Sequence, residues 1–401
     1  MVAVGAQAAG LHELGDHQRS GLLFGRFFLA KRREVYSRCR MAKILFLGQI
    51  GTGQTSLMRM RAFGRLGHTV RGVHTTEPWK RSSWLRRQVQ RRLQRGSVVD
   101  EINCSVLERA YEFRPDLVWA EKQEFLLVET IEELRKLGAR CVHFTPDPYY
   151  SLDWKRTRVM DRAMGAFDAL VYCKSYERER YELLGKPLVY MPLGYCDEVH
   201  RPVTSNNSRW SCAVGFLGGW EPRRELLLHA VAAAGIDVKI WGGYWDFLHD
   251  GKWTLRQYII LRQLAGGNGF RFHRDELLAR VHQGGEVYED DYARALTGSK
   301  IGLGFLRRVC PDQHTTRTFE IPACGSLLLA DRTEEHQGFF EEGREAEFFA
   351  SMDELLEKVR FYCGNASARE RVAEAGHNRC IKGKYAYVHR LRTALDEVNQ
   401  I

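Results

Sequence analysis

A base and an acid stand three residues apart in the segment 317–331, which reads RTFEIPACGSLLLAD. The pattern predicts a short helix that begins near Arg317, ends before Gly325 and is followed by a buried strand. Residues three apart on a helix point to the same side, so Arg317 and Glu320 would face one ligand together. A guanidinium suits a phosphate, and a carboxylate suits two neighbouring hydroxyls. A surface ion pair on an ordinary helix is the alternative.

A glycine-rich loop follows the first predicted strand, in Gly48–Thr55 (GQIGTGQT). Its glycines, Gly51 and Gly53 among them, allow close backbone approach and let successive N–H groups face an anion. Gln54 stands where a phosphate-binding loop has lysine, so the charge that grips phosphates is missing. The loop is therefore predicted to form a tight turn or to contact a substrate near a cleft, in preference to binding a nucleotide.

A second such loop lies in Phe216–Arg224 (FLGGWEPRR). Gly218 and Gly219 follow a predicted strand, and the proline after them suits the first turn of a helix. With Arg224 in that first turn, the segment predicts a diphosphate site. Two solvated arginines beside a turn are the alternative, and Arg223 is able to replace Arg224.

The composition is that of a folded protein of two or three domains. Of 401 residues, 44% are hydrophobic, yet no apolar run is long enough to span a bilayer. Ten cysteines show no C-x-x-C pair, which favours reduced, buried thiols in a cytoplasmic protein over disulfides or a zinc site.

The net charge of +10 is local. Residues 1–40 carry a net +4, and residues 80–96 (KRSSWLRRQVQRRLQRG) carry seven Lys/Arg and no acid, leaving the rest close to −1. A nucleic-acid-binding body is therefore excluded. Apolar residues interleave the arginines of 80–96, which suits an anionic membrane surface. The alternative is a solvated helix with a packed apolar stripe.

Short apolar segments alternate with helical ones from Met41 onward. The predicted strands of the first half are Lys43–Gly48, Thr69–Val73, Leu117–Ala120, Cys141–Thr145, Ala169–Cys173 and Leu188–Met191. A second alternation begins at Ala213–Leu217 and continues through Asp237–Trp241 and Ile301–Phe305, with Gly242–Glu289 as an insertion. Such patterns predict parallel sheets covered by helices.

We therefore expect two Rossmann-like α/β domains facing a cleft, one over residues 41–200 and one over 201–401. Residues 1–40 are predicted to be a disordered leader or the product of an upstream start codon.

The second half resembles the glycosyltransferase-like domain of the CgeB/YkvP spore-protein family, a branch of the group-1 glycosyltransferases. The resemblance rests on FLGGWEPRRELL, YEDDYARALTGSKIGLGF, RTFEIPACGSLLLAD and DELLEKVRFYCGNASARERVAEAGHNRC, in that order. It implies the GT-B fold, with a nucleotide-sugar site in the second domain and an acceptor site in the first.

The resemblance also implies roles for individual residues. Glu320 matches a glutamate that binds the ribose hydroxyls of the donor, and Arg224 resembles an arginine that neutralises the diphosphate. A second glutamate, eight positions earlier in related retaining enzymes, contacts the donor sugar. Here that position is Asp312, a shorter carboxylate that leaves the sugar contact open. Arginine and helix dipoles would replace a metal ion, so no metal and no cofactor are expected.

His143 and Asp147 lie in CVHFTPDPYY, at the end of a first-domain strand that would face the cleft. His143 would contact the transferred sugar, and Asp147 would contact an acceptor hydroxyl. A structural, hydrogen-bonded histidine is the alternative.

These observations predict a cytoplasmic glycosyltransferase, retaining and metal-independent, that transfers a sugar from a nucleotide-diphosphate sugar to a glycan, lipid or protein acceptor. Residues 80–96 would allow peripheral contact with the inner face of a membrane. A protein that binds nucleotide sugars without turning them over is the alternative.

Overall fold

The computed structural model describes residues 41–152, 156–250, 254, 258–259, 262 and 274–401. The leader predicted over residues 1–40 lies outside the described residues. The predicted insertion Gly242–Glu289 is described except for most of the residues between 251 and 273. Every strand and helix named below belongs to the described part.

Six parallel strands form the first sheet, in the order β2-β1-β3-β4-β5-β6. They are β1 (Lys43–Gly48), β2 (Thr69–His74), β3 (Leu117–Glu121), β4 (Arg140–Thr145), β5 (Ala169–Tyr172) and β6 (Leu188–Tyr190). The helices are α1 (Thr55–Arg65), α2 (Glu77–Arg81), α3 (Trp84–Leu93), α4 (Ser97–Phe113), α5 (Val128–Lys136), α6 (Arg158–Met164) and α7 (Arg178–Glu182). We call this part the first domain.

Five parallel strands form the second sheet, in the order β11-β10-β9-β7-β8. They are β7 (Cys212–Leu217), β8 (Val238–Trp241), β9 (Ser299–Gly304), β10 (Leu327–Asp331) and β11 (Glu347–Phe349). The helices are α8 (Pro222–Ala233), α9 (Phe247–Asp250), α10 (Glu276–Val281), α11 (Glu289–Thr297), α12 (Arg317–Ala323), α13 (Glu334–Phe339), α14 (Met352–Gly364), α15 (Ala366–Lys382) and α16 (Tyr387–Gln400). The part built on this sheet is the second domain.

The central strands are buried on both faces, which explains why they read as continuous apolar runs. β3 and β10 are buried at every residue. In each sheet one strand lies where the order reverses, β1 in the first and β7 in the second. Open parallel sheets bind ligands beyond the carboxyl ends of strands at such points. The loops after β1 and β7 are the two glycine-rich loops singled out above.

The chain crosses between the domains twice. It first crosses between β6 and β7, and it returns after α15, where α16 packs against α1 of the first domain. At the return, Tyr387 donates its backbone N–H to the carbonyl of Tyr195 at 2.8 Å, so the two crossing segments run side by side. The last helix therefore belongs to the packing of the first domain.

Candidate functional site

A cleft of about 830 Å³ lies between the carboxyl ends of the two sheets. The first domain lines it with residues that follow β1, β3 and β4, and the second lines it with residues that follow β7 and β9. A smaller cavity of about 150 Å³ adjoins it on the side of β8 and α11. Leu217, Gly218, Gly219 and Arg317 line both, so the two cavities meet at these residues.

Glu320 lies in the smaller cavity and is 3% exposed. Tyr292 donates its hydroxyl to the Glu320 carboxylate at 2.5 Å, and His200 Nε2 lies 3.7 Å from the other carboxylate oxygen. Burial is the main cause that raises the pKa of Tyr292 well above its usual value, so the phenol keeps the proton that it donates. The carboxylate is thus held in one orientation at the wall of a cavity.

Arg317 stands at the junction of the two cavities. Its Nε donates to the carbonyl of Leu217 at 3.0 Å, while the nearest oxygen of Glu320 is 4.0 Å away. A surface ion pair would leave the carboxylate in solvent, whereas Glu320 is buried. The surface ion pair considered as the alternative is therefore not what the structure shows. Arg317 and Glu320 both lie on the wall of the smaller cavity.

Gly218 and Gly219 form the tight loop between β7 and α8. A Cβ on Gly218 would lie 2.8 Å from the ring of Phe216, and the carbonyl of Gly218 accepts a hydrogen bond from Trp245 Nε1 at 2.9 Å. α8 begins at Pro222, as the sequence predicts. The loop brings main chain to the cleft wall where side chains would obstruct it.

Arg224 is buried beside this loop. Its Nη1 donates to the carbonyl of Gly219 at 2.9 Å, the nearest carboxylate oxygen, on Glu221, is 3.7 Å away, and its Nε has no hydrogen-bond partner among the described residues. Burial is the main cause that lowers the pKa of Arg224 to about 10. A buried guanidinium whose hydrogen bonds go to backbone carbonyls and not to a carboxylate is suited to receive an anion.

Arg223 is the sequence alternative to Arg224, and it lies elsewhere. Its guanidinium forms a bidentate ion pair with Asp331 at the end of β10. It does not line the cleft. Of the two arginines, only Arg224 reaches the site.

Asp312 lines the cleft but is already paired across it. Lys174, which follows β5 of the first domain, approaches Asp312 Oδ1 to 2.6 Å, and both side chains are 5% exposed. The hydroxyl of Tyr176 donates to the same oxygen at 3.0 Å. The predicted sugar-contacting carboxylate is therefore held by first-domain residues, which sequence analysis had not linked to it.

His143 lies inside the first domain, and not at the cleft as its place at a strand end had suggested. It is 0% exposed, its Nε2 accepts from the backbone N–H of Gln123 at 3.1 Å, and its Nδ1 bonds the hydroxyl of Thr145 at 3.1 Å. Burial lowers the pKa of His143 to about 3. This is the arrangement of the structural alternative, a neutral histidine with both nitrogens satisfied.

Asp147 does line the cleft, where it forms an ion pair with Lys122. Gly53 lies at the smaller cavity, with φ of +74° and Tyr288 of the second domain so close that a Cβ would lie 2.0 Å from its ring. Gly51 lines neither cavity. The first glycine-rich loop thus meets the second domain at Gly53.

A buried ion pair between Arg59 on α1 and Glu121 at the end of β3 also borders the cleft. Ser56 donates to the same carboxylate at 2.6 Å, and the Arg59 guanidinium lies 5.0 Å from the ring centre of Tyr387, where the chain returns. Sequence analysis missed this group. The one available signal was an arginine on a helix after a glycine-rich loop.

Within the part of the chain that the structure describes, no group of three or more His, Cys, Asp and Glu side chains is placed to hold a metal ion. In the same part, no helix is both long and apolar enough to cross a bilayer.

We expect His143→Gln to make the protein less sensitive to acid. The pKa of His143 is about 6.5 in the unfolded chain and about 3 in the fold. Above pH 6.5 the imidazole is neutral in both states, so its contribution to the stability of the fold is fully present there. That contribution is lost as the pH falls from 6.5 towards 3, by on the order of 2 kcal/mol at pH 5. Urea midpoints of parent and variant between pH 7 and pH 4.5 would measure it.

Equal slopes of the urea midpoint against pH for parent and His143→Gln would contradict the prediction.

Comparisons with known proteins agree with this architecture. A family model described as glycosyl transferase-like matches residues 223–396. No curated protein sequence matches the chain.

Several solved structures are similar in fold. Anabaena Alr3699/HepE in complex with UDP-glucose shares 12% identity at a TM-score of 0.57, over 90% of this chain and 100% of that one. Sucrose-phosphate synthase from Thermosynechococcus elongatus shares 11% at 0.58, over 88% and 97%. A UDP-forming α,α-trehalose-phosphate synthase from Burkholderia xenovorans in complex with glucose-6-phosphate shares 12% at 0.57, over 89% and 100%. The predicted α/β fold with two Rossmann-like domains, the GT-B fold, is confirmed.

Proposed function

We propose that this chain is a glycosyltransferase that moves a sugar from a nucleoside-diphosphate sugar to an acceptor bound by its first domain. The observation that carries the proposal is the junction of the two cavities at Arg317, with the buried carboxylate of Glu320 on one side and the guanidinium of Arg224 on the other. A nucleoside diphosphate presents a diol and two phosphates in that same order. The glycosyl transferase-like family model over residues 223–396 supports this assignment.

In this proposal the second domain binds the donor. Glu320 accepts hydrogen bonds from both ribose hydroxyls, and Tyr292 keeps its carboxylate in place. Arg317 and Arg224 contact the diphosphate, which approaches the main chain at Gly218 and Gly219. Their charges stabilise the diphosphate as it leaves, which is where negative charge develops in the reaction.

The acceptor side of the proposal rests on the first domain. Asp147 lines the cleft opposite the donor residues and is the carboxylate that would face an acceptor hydroxyl. His143 is given no role in this proposal, because it is buried and does not line the cleft. Retention of configuration and independence of metal ions are part of the proposal. UDP-sugars are the first donors to test, because Alr3699/HepE was solved with UDP-glucose.

A protein that binds nucleotide sugars without turnover is the second candidate. The pairing of Asp312 with Lys174 and Tyr176 favours it, because a carboxylate so engaged is less available to a donor sugar. The two candidates share the same donor site and differ only in whether transfer follows binding.

Calorimetry with UDP, GDP, ADP and their glucose conjugates tests both candidates. Binding of one nucleotide together with its release from the sugar conjugate supports the enzyme. Binding without release or transfer supports the second candidate. Absence of binding to every nucleotide would overturn the donor site and both candidates with it.

Arg317→Ala and Arg224→Ala should each weaken UDP binding by about tenfold and uridine binding much less. The reason is that a guanidinium acts on phosphate charge, and charge-assisted hydrogen bonds are worth roughly 1.5 kcal/mol or more. The measured quantity is the ratio of UDP to uridine affinity, by calorimetry.

Arg223→Ala is the matched control, because the side chain next to Arg224 is engaged by Asp331 and faces away from the cleft. It should leave that ratio unchanged. If the Arg317 and Arg224 variants lost equal affinity for UDP and for uridine, these arginines would only support the fold.

The proposed location is the cytoplasm. Each of the nine cysteines in the described residues is a free thiol, and seven of the nine are buried. Reduced, buried thiols are typical of reducing compartments.

A further inference from the structure

The helix α3 presents its apolar side chains to solvent. Trp84 is 62% exposed, Leu85 65%, Val89 47% and Leu93 55%. Leu85, Val89 and Leu93 are four residues apart, so they form one stripe along the helix. No residue of α3 is buried. The predicted alternative of a packed apolar stripe is therefore not what the structure shows.

The opposite side of α3 is polar and faces the protein. Gln90 accepts a hydrogen bond from the backbone of Val98 at 2.8 Å, and Gln94, just after the helix, accepts one from the backbone of Val159 at 3.2 Å. The Arg91 guanidinium lies 5.1 Å from the ring centre of Trp79, which lines the cleft. These contacts fix the helix in an inverted orientation, since an ordinary surface helix turns its apolar stripe inward.

The charge around this stripe is of one sign. Lys80 and Arg81 have acidic neighbours, Glu77 and Glu101, within 4 Å. Four further arginines form no ion pair with any residue that the structure describes: Arg86, Arg87, Arg92 and Arg95. The segment 1–40 carries a net +4, so its charge does not complement this surface.

We propose that α3 docks on the surface of an anionic lipid bilayer, with Leu85, Val89 and Leu93 among the headgroups and the unpaired arginines on lipid phosphates. An apolar stripe flanked by arginines is the pattern of helices that lie in a membrane interface. A soluble polyanion would use the arginines and leave the stripe in water. The coexistence of both features, in an orientation fixed by Gln90 and Gln94, selects the bilayer.

Flotation with vesicles tests the proposal. The full chain should float with vesicles of equal parts phosphatidylcholine and phosphatidylglycerol, should not float with phosphatidylcholine alone, and should be released by salt. The combined change of Arg86, Arg87, Arg92 and Arg95 to Gln should weaken this binding about a hundredfold or more. Arg91 is kept, because it packs against Trp79.

The apolar stripe is tested separately. The triple change Leu85→Ser, Val89→Ser and Leu93→Ser should weaken vesicle binding at least tenfold. Binding to heparin, a soluble polyanion that would contact only the arginines, should stay unchanged. The matched control is Leu183→Ser with Ile381→Ser, which removes two apolar side chains elsewhere that are 81% and 55% exposed. If the triple variant floated as the parent does, the proposal would be overturned. The arginines of α3 would then form a binding surface for soluble polyanions.

Calorimetry with UDP separates this result from the proposed function. The charge and stripe variants should bind UDP as the parent does, because the donor residues lie in the second domain. A parent that floats but binds no nucleotide would leave the docking surface standing and remove the donor site. A parent that binds UDP but never floats would overturn the docking surface alone.

Discussion

Replacing Lys174 by methionine should lower the stability of the fold by about 3–5 kcal/mol, the cost of leaving one member of a buried ion pair without its partner. Lys174 and Asp312 are both 5% exposed, and they join the two domains across the cleft. The change removes the cation that pairs with the carboxylate, while the hydroxyl of Tyr176 still donates to it. The measurement is the shift of the urea midpoint followed by circular dichroism.

Two further variants make the result interpretable. Lys174→Met combined with Asp312→Asn should recover much of the loss, because the uncompensated charge is then gone. Arg178→Met breaks an exposed pair with Glu182 in the same region and should leave the urea midpoint almost unchanged, because solvent screens such pairs. If Lys174→Met shifted the midpoint no more than Arg178→Met, water would be screening the pair.

Glu320→Gln should weaken nucleotide binding by about 1.5–3 kcal/mol, or roughly one to two orders of magnitude in affinity. The carboxylate accepts from both ribose hydroxyls in the proposed complex, and an amide offers one acceptor and one donor group in its place. Glutamine keeps the shape of the side chain and an acceptor for the hydroxyl of Tyr292. The measurement is calorimetry with UDP and with uridine, both of which carry the ribose.

The two ligands should lose similar free energy, in contrast to the arginine variants. Glu374→Gln, an exposed carboxylate on α15, controls for the loss of a charge. A folded Glu320→Gln protein with parent affinity for UDP would remove Glu320 from the ribose site.

Most strands could be placed from the sequence alone. The prediction for β1 matches Lys43–Gly48 residue for residue, and the one for β3 differs by a single residue. These strands are buried on both faces, so an apolar run between turn-forming residues marks them without knowledge of their partners.

Side-chain direction and long-range pairing could not be read from the sequence. Arg223 and Arg224 are neighbours, yet the helix turns one towards Asp331 and the other towards the cleft. Lys174 and Asp312 are far apart in the chain and meet only because the domains do. His143 lies in a strand as predicted, but which face of the sheet it occupies depends on packing against residues such as Phe167.

The double crossing of the chain has a mechanical consequence. Two domains joined by a single connection can rotate about many axes. Two adjacent connections together define one hinge axis. The backbone hydrogen bond from Tyr387 to Tyr195 holds the two connections side by side. We therefore expect the cleft to open by rotation about the line that passes through both crossings. Residues of the two domains that face each other across the cleft would then separate and return along one path, in the same alignment each time.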